Sequence, residues 1–187
     1  ENGEDLHADV SISFDEAAFG CEKRITLSDS RGGAEKTLQV HIRAGIDTGK
    51  SIRLRGKGMP GTGKGAPGDL LLRVTVGEKP GFERKGSDVY TTVQIPFTTA
   101  VFGGEAVVPT LYGNVVCKIR EGTQSGTKIR LRGKGIVSMK DASVYGDQYA
   151  VVQIAVPTRL SEEAKRKLKE YEAAAKGAER TRQRGAA

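Results

Sequence analysis

Between residues 6 and 14 apolar and polar side chains alternate without a break: Leu6, Ala8, Val10, Ile12 and Phe14 against His7, Asp9, Ser11 and Ser13. A period of two is that of a strand with one buried face. Residues 15–20 break the period, offer Asp15 as an N-cap and end in glycine, which predicts one short helical turn. Strands are predicted again at 22–28, with Ile25 and Leu27 on one face, and at 37–43, with Leu38, Val40 and Ile42 inward. Residues 29–35 form a compact turn between them. A fourth strand covers 51–55, the glycine-rich stretch 56–68 with its two prolines is a surface loop, and the nearly continuous apolar run 69–76 suits a central strand.

The same pattern then recurs. Residues 52–58 (IRLRGKG) are identical to residues 129–135, Gly45 and Gly49 stand where Gly122 and Gly126 stand 77 positions on, and Gly68-Asp69 is echoed by Gly146-Asp147. Residues 5–22 match residues 88–105 at an offset of 83. Turns and apolar positions recurring in order mark one supersecondary unit used twice. The second copy therefore predicts strands at 89–97, 105–109, 114–119, 128–132 and 148–156, a helical turn near 99–102, and a tight hairpin at Tyr112-Gly113-Asn114. The expected fold is mainly β: two tandem similar sandwich-like or barrel-like domains with a short helix each, then a C-terminal helix. The boundaries are 1–78, a stiff hinge at 79–87, 88–158, and 159–187.

The tail alone has helical periodicity. Ser161 can cap it, Glu162 and Glu163 occupy the first turn, and Ala164, Leu168, Tyr171 and Ala175 follow at spacings of 4, 3 and 4. That narrow stripe suits either packing on its own domain or self-association into a homodimer, and the second is favoured. From residue 177 onward the polar sequence predicts frayed chain.

Composition narrows the function classes. The 187 residues hold 37% hydrophobic and 28% charged residues, ordinary for a globular chain, and 25 glycines, as befits many turns. No apolar run approaches the roughly 18 residues that cross a bilayer, and residues 1–5 do not resemble a secretion signal, so a cytoplasmic piece of a longer protein is expected, with no membrane contact. Cys21 and Cys117 are not spaced as a metal pair and His7 and His41 do not supplement them. They read as small apolar side chains, and no metal, cofactor or catalytic constellation is assigned. The net charge of +7 favours acidic partners. Arg53, Arg55 and Lys57, with Arg130, Arg132 and Lys134, form two basic strips that would permit weak DNA binding, or simply face solvent.

Comparison of the copies is sharper. Ala8, Val10, Ile25 and Leu27 are all apolar, whereas 83 positions on stand Thr91, Val93, Val108 and Thr110. An apolar patch kept in only one copy suits a ligand, and an extended peptide could add itself there as a strand.

Phe19-Gly20-Cys21-Glu22-Lys23, Gly45-Ile46-Asp47-Thr48-Gly49, Pro80-Gly81-Phe82-Glu83-Arg84, Gly103-Gly104-Glu105, Val108-Pro109-Thr110-Leu111, Gly122-Thr123-Gln124-Ser125-Gly126 and Gly146-Asp147-Gln148-Tyr149 together resemble the C-terminal substrate-binding region of the DnaJ family of J-domain co-chaperones. The resemblance covers nearly the whole chain. It implies two β-rich peptide-binding domains and a C-terminal dimerisation helix, in a V-shaped dimer that holds unfolded client polypeptides for a DnaK-type ATPase chaperone. It implies a client groove at Ala8, Val10, Ile25 and Leu27, and basic residues for the partner chaperone's acidic tail at Lys23, Arg24 and Arg43. The His-Pro-Asp tripeptide of the J-domain is not in these residues, so the chain alone is expected not to stimulate ATP hydrolysis. Where zinc-containing members insert a cysteine-rich module this chain has only residues 28–36, which resembles the zinc-free class that includes curved-DNA-binding relatives. Three readings follow: a non-enzymatic client-binding module, a DNA-associated protein, and a dimerising scaffold.

Overall fold

In the computed structural model, which describes residues 1–27 and 35–185, the alternating strands sort into two layers in each half of the chain. In the first half β1 (Leu6–Ile12) pairs in parallel with β5 (Leu70–Val76), whose other side takes β4 (Ser51–Leu54) antiparallel. The apolar run of β5 is therefore the central strand, with Leu70, Leu72 and Val74 buried. Opposite lies the antiparallel hairpin of β2 (Cys21–Leu27) and β3 (Lys36–Ile42), in the register Cys21↔Ile42 to Leu27↔Lys36. The inward faces enclose a core of Val10, Ile12, Ala17, Val40, Ile42, Ile46, Leu70, Leu72 and Val74. The turn expected between β2 and β3 lies outside the described residues.

The second half repeats the plan. Strand β7 (Asp88–Pro96) pairs in parallel with β11 (Gln148–Ala155), β10 (Lys128–Leu131) flanks β11, and β8 (Gly104–Thr110) with β9 (Gly113–Ile119) forms the facing hairpin. Its core is Val93, Ile95, Ala100, Val108, Cys117, Ile119, Ala150 and Val152. A three-residue strand, β6 (Glu83–Lys85), sits within the segment that reads as hinge and pairs with β7, widening this sheet to four strands. It is too short to carry a period of two.

Both halves share a polar clamp, which accounts for the duplicated heptapeptide. The Asp69 carboxylate accepts from the Gly56 amide (3.0 Å) and pairs with Arg53 (2.7 Å), and Asp147 does the same with Gly133 (2.9 Å) and Arg130 (2.7 Å). Asp5 accepts the Asp69 amide and Asp88 the Asp147 amide. The glycine amide, then the arginine, holds each clamp aspartate below its usual pKa. Gly68 and Gly146 precede the clamp because a Cβ there would overlap the carbonyl oxygens of Glu4 and Ser87. The glycine-rich loop is thus moulded around the entering segment, with Met59 donating to the carbonyl of Glu4.

Helix α1 (Phe14–Phe19) begins one residue earlier than the alternation implies. Ser13, not Asp15, is its N-cap, accepting from the Glu16 amide while Glu16 accepts from the Ser13 amide, a reciprocal box that outcompetes a lone aspartate. Helix α2 (Phe97–Phe102) follows Pro96 and has no side-chain cap. Helix α3 (Glu162–Gly185) is capped by Ser161, as its sequence predicts, but runs on through Gly177 where the polar sequence reads as frayed.

A third apolar cluster joins the halves: Phe14 and Ala18 of α1 pack with Val89, Ile136, Phe82 and Leu111. Arg84 of β6, its side chain 10% exposed, donates to the carbonyls of Ile46 (2.6 Å) and Gly45 (2.8 Å), and Lys79 pairs with Asp15. Two desolvated charge-assisted hydrogen bonds and a shared core oppose free swinging of one half against the other.

Candidate functional site

Among the described strands β1 pairs only with β5, and β2 only with β3, so both present an unpaired margin. Val10 is 6% exposed and forms part of the first core, while Ala8, Ile25 and Leu27 are partly exposed and pack against it. Val10 is thus a core residue, and Ala8, Ile25 and Leu27 form a partly exposed apolar rim beside it, the candidate furrow. All inward positions of β2 (Cys21, Lys23, Ile25 and Leu27) are only partly covered, whereas β3 opposite ends in fully buried Val40 and Ile42.

The equivalent furrow in the second half is closed. Thr91, Val93, Val108 and Thr110 are exposed by 8%, 6%, 0% and 9%. The seal is Gln148, fully buried, which donates to the Thr91 hydroxyl (3.0 Å) and to the Pro109 carbonyl (3.0 Å) and so ties β7 and β11 to the margin of β8. Leu70 occupies its place in the first half and has no polar atom with which to form such a bridge. The proline adds to the closure, because in a strand it is tolerated only where its missing N–H points away from the ladder. Pro109 lies opposite Asn114 as Thr26 lies opposite Thr37, and the Pro109 carbonyl faces Gln148 across the margin. By that register Thr26 turns an intact N–H and C=O toward the free margin of β2. The apolar contrast between copies was legible in the sequence; the Gln148 bridge was not. Its one signal is a glutamine heading an apolar run where the first copy has leucine.

The basic candidates do not act together. The Lys23 ammonium is held by the Glu16 carboxylate at 3.1 Å. The Ser13 amide and then Lys23 push the Glu16 pKa down to about 2. Arg24 and Arg43 are exposed. In the two basic strips all four arginines are exposed, but Arg53 and Arg130 are engaged by the clamp aspartates, which leaves Arg55 and Arg132 outside the clamps. Burial raises the thiol pKa of both Cys21 and Cys117. Among the described residues no three His, Cys, Asp or Glu side chains gather as a metal site would require. Among the described residues no helix is long and apolar enough to cross a membrane.

On α3 the predicted stripe is largely uncovered: Leu168 is 43% and Tyr171 54% exposed, with Ala164 and Ala175 partly covered. Tyr171 touches the rest of the chain through Phe97 of α2, ring edge to face at 6.0 Å. Sequence reasoning missed the surface beside it. The α1 residues Phe14 and Ala18 are 6% and 4% exposed against the second half, but their α2 equivalents Phe97 and Val101 are 40% and 38% exposed, and Phe102 is 76% exposed.

The fold is that of a tandem-repeat β protein in which β2 and β8 each lack a strand partner on one side, β2 beside partly exposed apolar side chains and β8 with its Pro109 carbonyl bonded to Gln148. The chain belongs to the DnaJ C-terminal domain family, whose model matches residues 6–157. It is 44% identical over 147 residues to the chaperone protein DnaJ of Lachnospira eligens, covering 79% of this chain and 39% of that protein. It is 40% identical over 153 residues to that of a Geobacillus species, covering 81% and 40%, and 47% identical over 137 residues to that of Burkholderia thailandensis, covering 73% and 36%. The chain thus spans about two fifths of the length of these curated relatives.

Proposed function

We propose that the chain is the client-binding part of a DnaJ-type co-chaperone, non-enzymatic by itself, which captures extended apolar segments of unfolded polypeptides for a DnaK-type ATPase. The observation that carries this reading is the unpaired margin of β2 above Ala8, Val10, Ile25 and Leu27, beside a twin in which the four equivalent positions are buried and the Pro109 carbonyl is taken by Gln148. A client strand would pair with the Thr26 backbone and bury one or two side chains against Ile25 and Leu27. Each side chain contributes about 1.5–3 kcal/mol when fully buried, so binding is weak and tolerant of sequence. Ile25→Ser and Leu27→Ser should each weaken binding of an extended apolar peptide about tenfold, roughly 1.4 kcal/mol, with an unchanged melting profile. Unaltered affinity in a folded variant would contradict the assignment. Val10 is a poor probe, because a polar group at that buried position would damage the core itself.

For the partner chaperone's acidic tail, Arg24 and Arg43 are the better-placed cations, since Lys23 is already paired with Glu16. The homodimer is supported by repeat logic: the α1 face is covered by the next half of the chain, whereas the more apolar α2 face and the Leu168 and Tyr171 stripe beside it lack such a cover. A second copy supplies it. Sedimentation of Leu168→Ser and Phe102→Ser should show monomer where the parent is a dimer; an unchanged dimer would remove this interface. A DNA-binding role is not favoured, because the clamps engage an arginine of each basic strip.

A further inference from the structure

The furrow floor does not stop at the end of β2. Glu16 of α1 touches both groove-facing side chains at that end, Cys21 at 3.5 Å and Lys23 at 3.1 Å. One helical turn on, on the same flank, stands Phe19. Its ring meets Tyr112 edge to face at 5.7 Å, and Tyr112 meets Tyr145 at 6.3 Å. The three rings are 48%, 41% and 47% exposed, with Val144 also half exposed alongside. The Lys134 ammonium stands 5.6 Å from the Tyr112 ring, and the Tyr112 hydroxyl donates to the Gly135 carbonyl, which pins the ring in place. The row starts in the first half and ends in the second, and the shared core of Phe14, Ala18, Val89 and Ile136 fixes the two parts relative to each other.

We propose that this aromatic row is a second client subsite, continuous with the furrow, which takes an aromatic or bulky aliphatic side chain from the same extended polypeptide after it leaves β2 at Cys21. The inference rests on the furrow reading above. Continuity selects the occupant: a strand paired along the seven residues of β2 spans about 23 Å and emerges beside Phe19. Edge-on rings that are each about half exposed suit contact with a client ring, and Lys134 favours an acidic residue next to it. The row gives the furrow a preference that main-chain pairing cannot supply.

The test compares two fluorescent peptides by anisotropy. One is a seven-residue apolar peptide that spans β2; the other is extended by five residues carrying a phenylalanine, made with the extension at either end because strand direction is open. One extended peptide should bind at least fivefold tighter than the short one. Tyr145→Ser and, separately, Phe19→Ser should abolish that advantage while leaving the affinity of the short peptide unchanged. Equal affinity of short and extended peptides overturns the subsite while the furrow stands. So does a variant that weakens both peptides alike, or one that changes the sedimentation of the free protein, which would mark the row as a contact between copies. If neither peptide binds, the furrow reading fails and the subsite falls with it.

Discussion

The two halves share a frame and differ at its margin. Both keep the aspartate clamp with its arginine and glycine amide, the parallel pairing of their first and last strands, and a facing hairpin. At the free edge of that hairpin the first half has Thr26 and Leu27 where the second has Pro109 and Thr110, and on the facing sheet Leu70 stands where the second has Gln148. One set leaves the apolar side chains partly exposed; the other buries them and bonds the Pro109 carbonyl to Gln148. The copies agree in what folds the unit and differ in how far the side chains at this margin are covered.

That contrast can be broken in a graded series. Thr110→Asp, which buries a carboxylate, should destabilise the second half by about 3 kcal/mol, whereas Leu27→Asp at the equivalent open position should cost less than about 1 kcal/mol and abolish peptide binding. Thermal unfolding of both variants checks the difference, and equal losses would mean that the two positions are equally enclosed. Rebuilding the second margin with the first half's residues, Thr91→Ala, Pro109→Thr and Gln148→Leu together, should raise the peptide stoichiometry by calorimetry from one to two per chain. A value still at one would show that the seal is not what separates the halves.

Smaller effects sharpen the comparison. Ser13→Ala removes the α1 capping box and should cost about 1 kcal/mol, whereas α2 has no side-chain cap to lose. Glu16, depressed to about 2 in the folded chain, stabilises fully above the ordinary carboxyl range and loses that contribution as pH falls toward 2. Protection of the α1 amides, taken relative to their intrinsic exchange rates, should therefore fall between pH 6 and pH 3 before that of the α2 amides; simultaneous loosening would argue against the capping account. The smallest expected difference is between the clamps: Asp69→Asn and Asp147→Asn should each lower the thermal unfolding midpoint slightly and by the same amount, and clearly unequal losses would contradict a shared frame.

Periodicity and the repeat made most of the strands and the short helices legible in the sequence, together with the contrast between the copies at Ala8, Val10, Ile25 and Leu27. What escaped depends on partners distant in sequence. Strand β6 is too short to show a period, and Arg84 looks like a linker residue until Gly45 and Ile46 are beside it. Phe14 reads as strand core, but its burial comes from the neighbouring half. The capping box was legible, since Ser13 and Glu16 have the required spacing, yet the nearer Asp15 drew the assignment. Gln148 could not be distinguished from a surface glutamine, because the threonine hydroxyl and proline carbonyl it bridges lie 57 and 39 residues away.

The most direct measurement is an NMR titration of the chain with an unlabelled extended apolar peptide, following backbone amides of both hairpins. Shifts and line broadening should concentrate at Thr26, Ile25 and Leu27 and across to Ala8 and Val10, while Val108, Thr110, Thr91 and Val93 stay unmoved at saturation. Matching perturbation of both sets, or perturbation of the second alone, would contradict the claim that only the first margin is open.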